Sequence, residues 1–134
     1  ETQAVLPLLK GDLGEILLAS ARGDLSGVEV GTEPGNALCV VMASGGYPES
    51  YRNGYPICGL DEAEQEENVE IFHAGTVKKD DVTVTAGGRV LGVTAWGGSF
   101  LEARNRAYRA VEKISFTDAH YRKDIGYRAL ERLK

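Results

Sequence analysis

The chain is poor in cysteine, in histidine and in long apolar runs, and each shortage removes a class of function. Two cysteines among 134 residues, Cys39 and Cys58, are too few for the disulfide framework of a small secreted domain. Cys39 lies inside an apolar run and is expected to be a buried thiol. Two histidines, His73 and His120, have no companions at metal-ligand spacing, so no metal site is expected. No stretch approaches the ~20 apolar residues needed to cross a bilayer, which argues against a membrane span. There is no basic excess either. A net charge of -5 opposes indiscriminate nucleic-acid binding. No secretory leader is visible, and the expected compartment is the cytosol.

Familiar catalytic and nucleotide motifs are missing too. Ser44 lacks a G-x-S-x-G elbow, and there is neither a G-x-G-x-x-G fingerprint nor a Walker loop. The acidic run Asp61-Glu62-Ala63-Glu64-Gln65-Glu66-Glu67 lacks the alternating ligands and central glycine of a calcium loop, and reads as a solvated helix or turn. The first residue is Glu, with an amphipathic segment directly after it, as expected of a piece of a longer chain.

What the chain has in excess is glycine, 17 of 134 residues, against a usual level of ~7%. Much of it falls in three turns, each joined to a β-branched or apolar run. They are Ala43-Ser44-Gly45-Gly46-Tyr47-Pro48, His73-Ala74-Gly75-Thr76 and Thr85-Ala86-Gly87-Gly88-Arg89. The adjoining strand candidates are Ala37 to Met42, Val69 to Phe72, and Val82 to Thr85 continuing as Val90 to Thr94. The first is continuous and apolar, as a strand covered on both faces would be. The last two, separated by Gly87-Gly88, predict an antiparallel hairpin. Glycine permits close approach of a ligand or a neighbouring strand, so the turns are either a ligand-facing rim or plain hairpin punctuation.

Leu6, Leu9, Leu13, Ile16 and Leu17 recur at helical spacing, weakened by Gly11 and Gly14 and stopped at Arg22-Gly23-Asp24. A polar bridge, Ser26 to Asn36, follows. The strongest local pattern is a helix from Phe100 to Ile114. Ser99 caps it, Glu102 returns the bond, and Phe100, Ala103, Ala107, Val111 and Ile114 form its apolar stripe. Tyr127 to Leu133 predicts a short final helix. The fold expected is α+β, a small and mainly antiparallel sheet covered by one or two helices.

Charge is divided unevenly. Residues 1–103 carry six Lys/Arg against sixteen Asp/Glu, and residues 104–134 carry nine against four. The basic tail is either an anion-attracting surface or a device for helix solubility. Within the candidate site, Arg89 directly follows Gly87-Gly88, where a guanidinium can grip a phosphate or carboxylate with two bonds or simply form a salt bridge. Arg122 and Lys123 offer a second cationic contact, with Asp124 beside them. His73 can donate to a ligand or orient its loop.

Taken in order, six stretches resemble the C-terminal region of the phosphoribosylamine–glycine ligase family, the glycinamide ribonucleotide synthetases. These are Glu1-Thr2-Gln3 with the leucine-rich segment, Cys39-Val40-Val41-Met42-Ala43-Ser44-Gly45-Gly46-Tyr47-Pro48 and Gly59-Leu60-Asp61-Glu62-Ala63. Phe72-His73-Ala74-Gly75-Thr76, Val84-Thr85-Ala86-Gly87-Gly88-Arg89-Val90-Leu91 and Tyr121-Arg122-Lys123-Asp124-Ile125-Gly126-Tyr127-Arg128-Ala129 complete the series. The resemblance implies that residues 1–25 are the end of an ATP-grasp core, 26–36 a linker, and 37–134 the C-terminal domain. It implies an enzyme that uses ATP and Mg2+ (or Mn2+) to join glycine to 5-phosphoribosylamine through glycyl phosphate. The ATP and metal groups would lie upstream, so the isolated piece is expected to be inactive, to hold no cofactor and to carry no catalytic residue.

The expected substrate-facing wall comprises Arg89, Lys123 and Arg122 for anionic groups. His73 orients its loop, and Gly45, Gly46, Gly75, Gly87 and Gly88 shape the surface. The expected partners are glycine, 5-phosphoribosylamine, ATP and the N-terminal portion of the same enzyme. The alternative is a non-catalytic ligand-binding or assembly domain.

Overall fold

The leucine-rich N-terminal segment does not form one helix. In the computed structural model, which describes residues 1–133, it divides into α1 (Thr2–Val5), a 3-10 turn (Leu6–Leu8), β1 (Leu9–Lys10) and α2 (Leu13–Arg22). The break falls at Gly11, whose φ of +123° suits no other residue and where a Cβ would collide with the Glu29 carbonyl. Asp12 then starts α2 afresh, its carboxylate accepting from the Glu15 N–H at 2.9 Å. β1 pairs with β2 (Gly31–Thr32), so the polar bridge carries a strand of its own.

The remaining elements are β3 (Asn36–Ala43), α3 (Leu60–Glu64), β4 (Val69–His73), β5 (Thr76–Lys79), β6 (Val82–Thr85), β7 (Arg89–Gly97), α4 (Phe100–Lys113), β8 (His120–Tyr121) and α5 (Tyr127–Arg132). Four of them make an antiparallel sheet in the order β4-β7-β3-β8, while β5 and β6 form a separate hairpin. The architecture is α+β, as the sequence predicts. Lys134, the last residue of the expected C-terminal domain, lies outside the described residues.

The hairpin predicted across Gly87-Gly88 is corrected. β6 pairs with β5, and β7 pairs with β3 and β4. A two-residue hairpin turn of the favoured type needs positive φ at both central positions. Asp80 and Asp81 meet that need, at φ 46° and 65°, and aspartate tolerates the left-handed region better than most residues. Gly87 and Gly88 are not among the positive-φ residues, and they carry the chain from one sheet to the other.

β3 is also covered differently from expectation. Leu38, Val40 and Met42 are buried, but Val41 is 42% exposed and Cys39 is only half-buried. One face of β3 therefore packs on α4 and the other is partly open, giving alternation rather than burial on both sides. The strand buried on both faces is β7, flanked by β3 and β4, with every residue from Val90 to Ala95 buried. Each fully buried aliphatic here contributes about 1.5–3 kcal/mol relative to exposure.

α4 closes the core through Ala103, Ala107, Ala110 and Val111, small side chains that let the helix lie close to the sheet. Its cap matches the sequence at Ser99, whose Oγ accepts from the Glu102 N–H at 3.2 Å. The return bond is shifted by one residue. Glu102 accepts from the Gly98 N–H at 3.0 Å.

Candidate functional site

The topology gathers the three glycine turns at one end of the sheet. The Ser44 N–H donates to the Gly88 carbonyl and the Ser44 hydroxyl to the Gly87 carbonyl, both at 2.8 Å. The Ala86 N–H donates to the Gly75 carbonyl at 2.7 Å, and the Ala74 and Gly75 N–H groups share the Val90 carbonyl at 3.0 and 3.1 Å. Backbones approach so closely that side chains have no room. A Cβ on Gly75 would stand 2.5 Å from the Arg89 oxygen and 2.7 Å from Gly87 Cα. One on Gly88 would enter the Tyr47 ring and come within 3.0 Å of Tyr51. The glycines are therefore packing requirements of the rim.

Register fixes the neighbouring side chains. Arg89 pairs with Ala43, which on its other edge pairs with His120. His73 pairs with Leu91, two residues further along β7, and its Nδ1 lies 3.0 Å from the Thr76 hydroxyl across the Ala74-Gly75 turn. Gly46, at φ 93°, opens the loop that follows the first turn.

That loop forms one wall of a cleft of about 280 Å³ lined by Gly45, Ser50, Tyr51, Arg52, Tyr55 and Asp118. The loop is tied at both ends. The Glu49 N–H donates to the Gly46 carbonyl at 2.9 Å. The Gly54 N–H donates to the Thr85 carbonyl at 2.7 Å, and the Tyr55 N–H to the Thr85 hydroxyl at 3.2 Å. The opposite wall depends on Gly45, because a Cβ there would stand 2.5 Å from Asp118 Cβ and 2.9 Å from its carbonyl oxygen. Composition and spacing did not bring Ser50, Tyr51, Arg52, Tyr55 and Asp118 forward. The signal available in the sequence was the run Tyr51-Arg52-Asn53-Gly54-Tyr55, aromatic and basic together, directly after the first glycine turn.

Arg122 and Lys123 stand apart from this rim. β8 runs antiparallel to β3, with Tyr121 opposite Met42, so the next residues lead back along β3 and away from the turns. Two residues of extended chain cover about 7 Å. The Arg122 carbonyl accepts from the Tyr108 hydroxyl at 2.7 Å and the Lys123 carbonyl from Arg104 at 3.0 Å, which seats both on the flank of α4. The Arg122 guanidinium is paired with both oxygens of Asp124, at 2.9 and 2.8 Å. That paired bond lowers the Asp124 pKa and raises that of Arg122.

Much of the basic C-terminal charge is committed in this way. Arg104 serves the Ile125 and Lys123 carbonyls, Arg106 serves the Trp96 carbonyl and Glu102, and Arg109 and Lys113 converge on Glu66. The hydrogen bond from Lys113 lowers the Glu66 pKa. By contrast, Arg52 and Arg89 are exposed, and no side-chain hydrogen bond or ion pair engages either among the described residues.

No group of three or more His, Cys, Asp or Glu suited to a metal ion exists among the described residues. The cleft itself carries a single carboxylate, Asp118. The described residues therefore do not fit a divalent cation by themselves. No helix among the described residues is long and apolar enough to cross a membrane.

Comparison with known proteins adds the ancestry of this arrangement. The family described as phosphoribosylglycinamide synthetase, C domain, matches residues 37–128. A phosphoribosylamine–glycine ligase of Caldanaerobacter subterraneus is 50% identical over 93% of this chain and 29% of its own length. One from Synechocystis is 51% identical over 97% of this chain and 31% of its own length. The chloroplastic ligase of Arabidopsis thaliana is 48% identical, with 97% of this chain and 25% of its own length covered. The crystal structure of the Thermotoga maritima ligase superposes with a TM-score of 0.68 at 37% identity, covering 84% of this chain and 27% of that one. The chain thus spans between a quarter and a third of the length of these relatives. With a family match across most of its residues and a solved relative of the same fold, the chain belongs to the phosphoribosylglycinamide synthetase C-domain family.

Proposed function

We propose that the protein carrying this chain is an ATP-dependent ligase that joins glycine to 5-phosphoribosylamine in purine biosynthesis. This chain would supply the substrate-facing wall. A carboxylate is a poor acceptor for an amine. The glycine carboxylate oxygen therefore attacks the γ-phosphorus of ATP, releasing ADP and leaving glycyl phosphate. The amine of phosphoribosylamine then attacks the acyl carbon, the bond to phosphate breaks, and a proton leaves the new amide nitrogen. Mg2+ or Mn2+ would accompany ATP in the remainder of the enzyme, and no step is assigned to a metal on this chain. The isolated chain is expected to be inactive, and the enzyme to work in the cytosol.

In this reading the rim has three parts. Gly45, Gly46, Gly75, Gly87 and Gly88 shape the surface by letting backbones and rings pack closely, Gly88 from beneath Tyr47 and Tyr51. Arg89, exposed and unpaired, binds phosphate or carboxylate with two parallel N–H bonds. His73 holds the adjoining turn through Thr76. Lys123 and Arg122 would meet an anionic substrate from the α4 side, Arg122 only by exchanging its bond to Asp124.

The observation that carries the proposal is the convergence of the three turns beside two uncommitted arginines, in a member of this family. Arg89→Ala in the complete enzyme is expected to raise KM for phosphoribosylamine or glycine about tenfold or more, as loss of a charge-assisted bond does. KM for ATP should stay unchanged. Wild-type kinetics for both substrates would remove Arg89 from the wall.

Residues 1–25 bear on the enzyme's other part. Leu17 and Leu18 of α2 are 59% and 52% exposed, a bare apolar face. This supports residues 1–25 belonging to an ATP-grasp core, with the N-terminal portion of the enzyme covering α2. Hydrogen exchange of α2 should be slower in the complete enzyme than in the isolated chain. Equal rates would favour an assembly module of another kind.

A further inference from the structure

We propose that Ser44 is a positioning residue: together with a bulge in β7, it fixes the direction in which Arg89 leaves the sheet. The inference rests on the reading of Arg89 as part of the substrate-facing wall for its kinetic consequence, and on backbone geometry for its content.

The bulge is written in the register. Met42 pairs with Leu91, but the next residue, Ala43, pairs with Arg89 rather than with Val90. β7 therefore carries one residue more than β3 at this point, as a β-bulge does. The consequence falls on Arg89. Leu91, Val93 and Ala95 stand opposite Met42, Val40 and Leu38, and all six are buried on the α4 side of the sheet. Strict alternation from Leu91 would return Arg89 to that side, where a guanidinium would need buried partners. The extra residue moves it instead to the side it shares with Ala43 and with Val41, which is 42% exposed. Arg89 is accordingly exposed.

A bulge alone does not hold the side chain's aim. Arg89 follows Gly87-Gly88, and glycine is the residue that restrains the backbone least. The rim needs glycine at position 88, where a Cβ would enter the Tyr47 ring. Close packing thus leaves a loose link next to Arg89, and Ser44 offsets it. Its N–H donates to the Gly88 carbonyl and its hydroxyl to the Gly87 carbonyl, both at 2.8 Å. Two successive carbonyls ahead of Arg89 are held by one residue, itself 2% exposed and so screened from competing water. On the far side, the Val90 carbonyl takes the N–H groups of Ala74 and Gly75 at 3.0 and 3.1 Å. Arg89 therefore sits between fastened peptide groups, one set held from the first glycine turn and the other from the second.

Kinetics of the complete enzyme and backbone order of the 134-residue chain test this. Ser44→Ala keeps the N–H bond and removes only the bond made by the hydroxyl. It should raise KM about threefold to fivefold for whichever of glycine and phosphoribosylamine Arg89→Ala affects, leaving kcat and KM for ATP within about twofold. In an Arg89→Ala background, Ser44→Ala should raise that KM no further, while its cost in stability should be the same in both backgrounds. An equal rise in both, or no rise where Arg89→Ala alone produces one, overturns the positioning role. Nitrogen-15 relaxation reads the geometry without substrate. Backbone order parameters at Gly88 and Arg89, about 0.85 in a rigid chain, should fall towards ~0.6 in Ser44→Ala. Unchanged order overturns the proposal whatever the kinetics show. Wild-type kinetics in Arg89→Ala would sink the wall reading instead, and a fall in order at Arg89 would still uphold the role of Ser44.

Discussion

Gly75 and Gly87 face each other across the rim, yet substituting them should have unequal effects. A Cβ on Gly75 would stand 2.5 Å from the Arg89 carbonyl oxygen, 2.7 Å from Gly87 Cα and 2.9 Å from Gly87 N. All three are backbone atoms, and the bonds from Ala86 N–H to Gly75 and from Gly75 N–H to Val90 tie them in place. Relief therefore requires the two strand ends to separate by several tenths of an ångström, and overpacking of this kind costs about 1–3 kcal/mol. A Cβ on Gly87 would meet Gly75 Cα at 3.0 Å and nothing else nearer than 3.7 Å, a contact that a small adjustment relieves. Each Gly→Ala change also recovers about 0.4–1 kcal/mol by restricting the unfolded chain. Gly75→Ala should thus be destabilising by about 1–2 kcal/mol net, and Gly87→Ala close to neutral. Equilibrium urea denaturation of the 134-residue chain reads the difference as a shift in midpoint at constant slope. Equal losses, or a larger loss at Gly87, would refute the claim that the rim is built on backbone contact at Gly75.

Three further outcomes follow from buried or paired groups. Ser44→Ala removes the bond to the Gly87 carbonyl from a residue 2% exposed, and should cost about 1–2 kcal/mol, with a matching fall in the thermal midpoint. Thr94 is fully buried and its hydroxyl has no partner among the described residues, so Thr94→Val should raise stability by about 1 kcal/mol; a lower midpoint would mean the hydroxyl is satisfied in solution. Asp124 should titrate below its ordinary value of 3.8 because Arg122 binds its charged form, and Arg122→Ala should move the midpoint upward in a side-chain NMR titration. With the folded pKa depressed, the pair's contribution is present above the ordinary value and is lost as pH falls through the folded one. Added salt should shrink it.

The elements legible in the sequence were those whose cause is local. Ser99 followed three residues later by Glu102, with alanines at helical spacing, contains nearly the whole reason for α4. Gly23 as a helix stop and the short helix from Tyr127 also depend on a few adjacent residues. The hairpin across Gly87-Gly88 was misread because a Gly-Gly pair between two β-rich runs permits a turn without requiring one. The pairing partner of β7 is decided by the burial of Val90 to Ala95, which needs a strand on each side and a helix on one face. That demand is tertiary and does not appear between residues 82 and 94. The N-terminal segment failed for a related reason. Its leucines keep helical spacing through Gly11, but the contact that breaks the helix comes from the Glu29 carbonyl, eighteen residues on by sequence number.

The candidate site divides along the same line. The three glycine turns could be noticed in the sequence because glycine marks close approach whatever the approaching partner is. Their convergence could not, since it depends on Ser44 meeting Gly87 and Gly88, and on Gly75 meeting Gly87. Arg52 was hidden by the opposite problem. An arginine in a polar loop is ordinary in sequence, and what sets this one apart is its place in the cleft beside the glycine rim. Arg122 illustrates the converse, a cation prominent in sequence whose guanidinium is held by a carboxylate two residues away. The four cations of α4, Arg104, Arg106, Arg109 and Lys113, are all spent on carbonyls or carboxylates, as is Arg122 just after it. Beside the rim, Arg52 and Arg89 remain unspent, one on either side of the Tyr51–Gly88 contact. A double substitution at those two positions therefore separates two arrangements. Effects on KM for phosphoribosylamine in the complete enzyme that are additive in free energy mean two independent anion contacts, whereas a double variant no weaker than the worse single one means both arginines hold the same group.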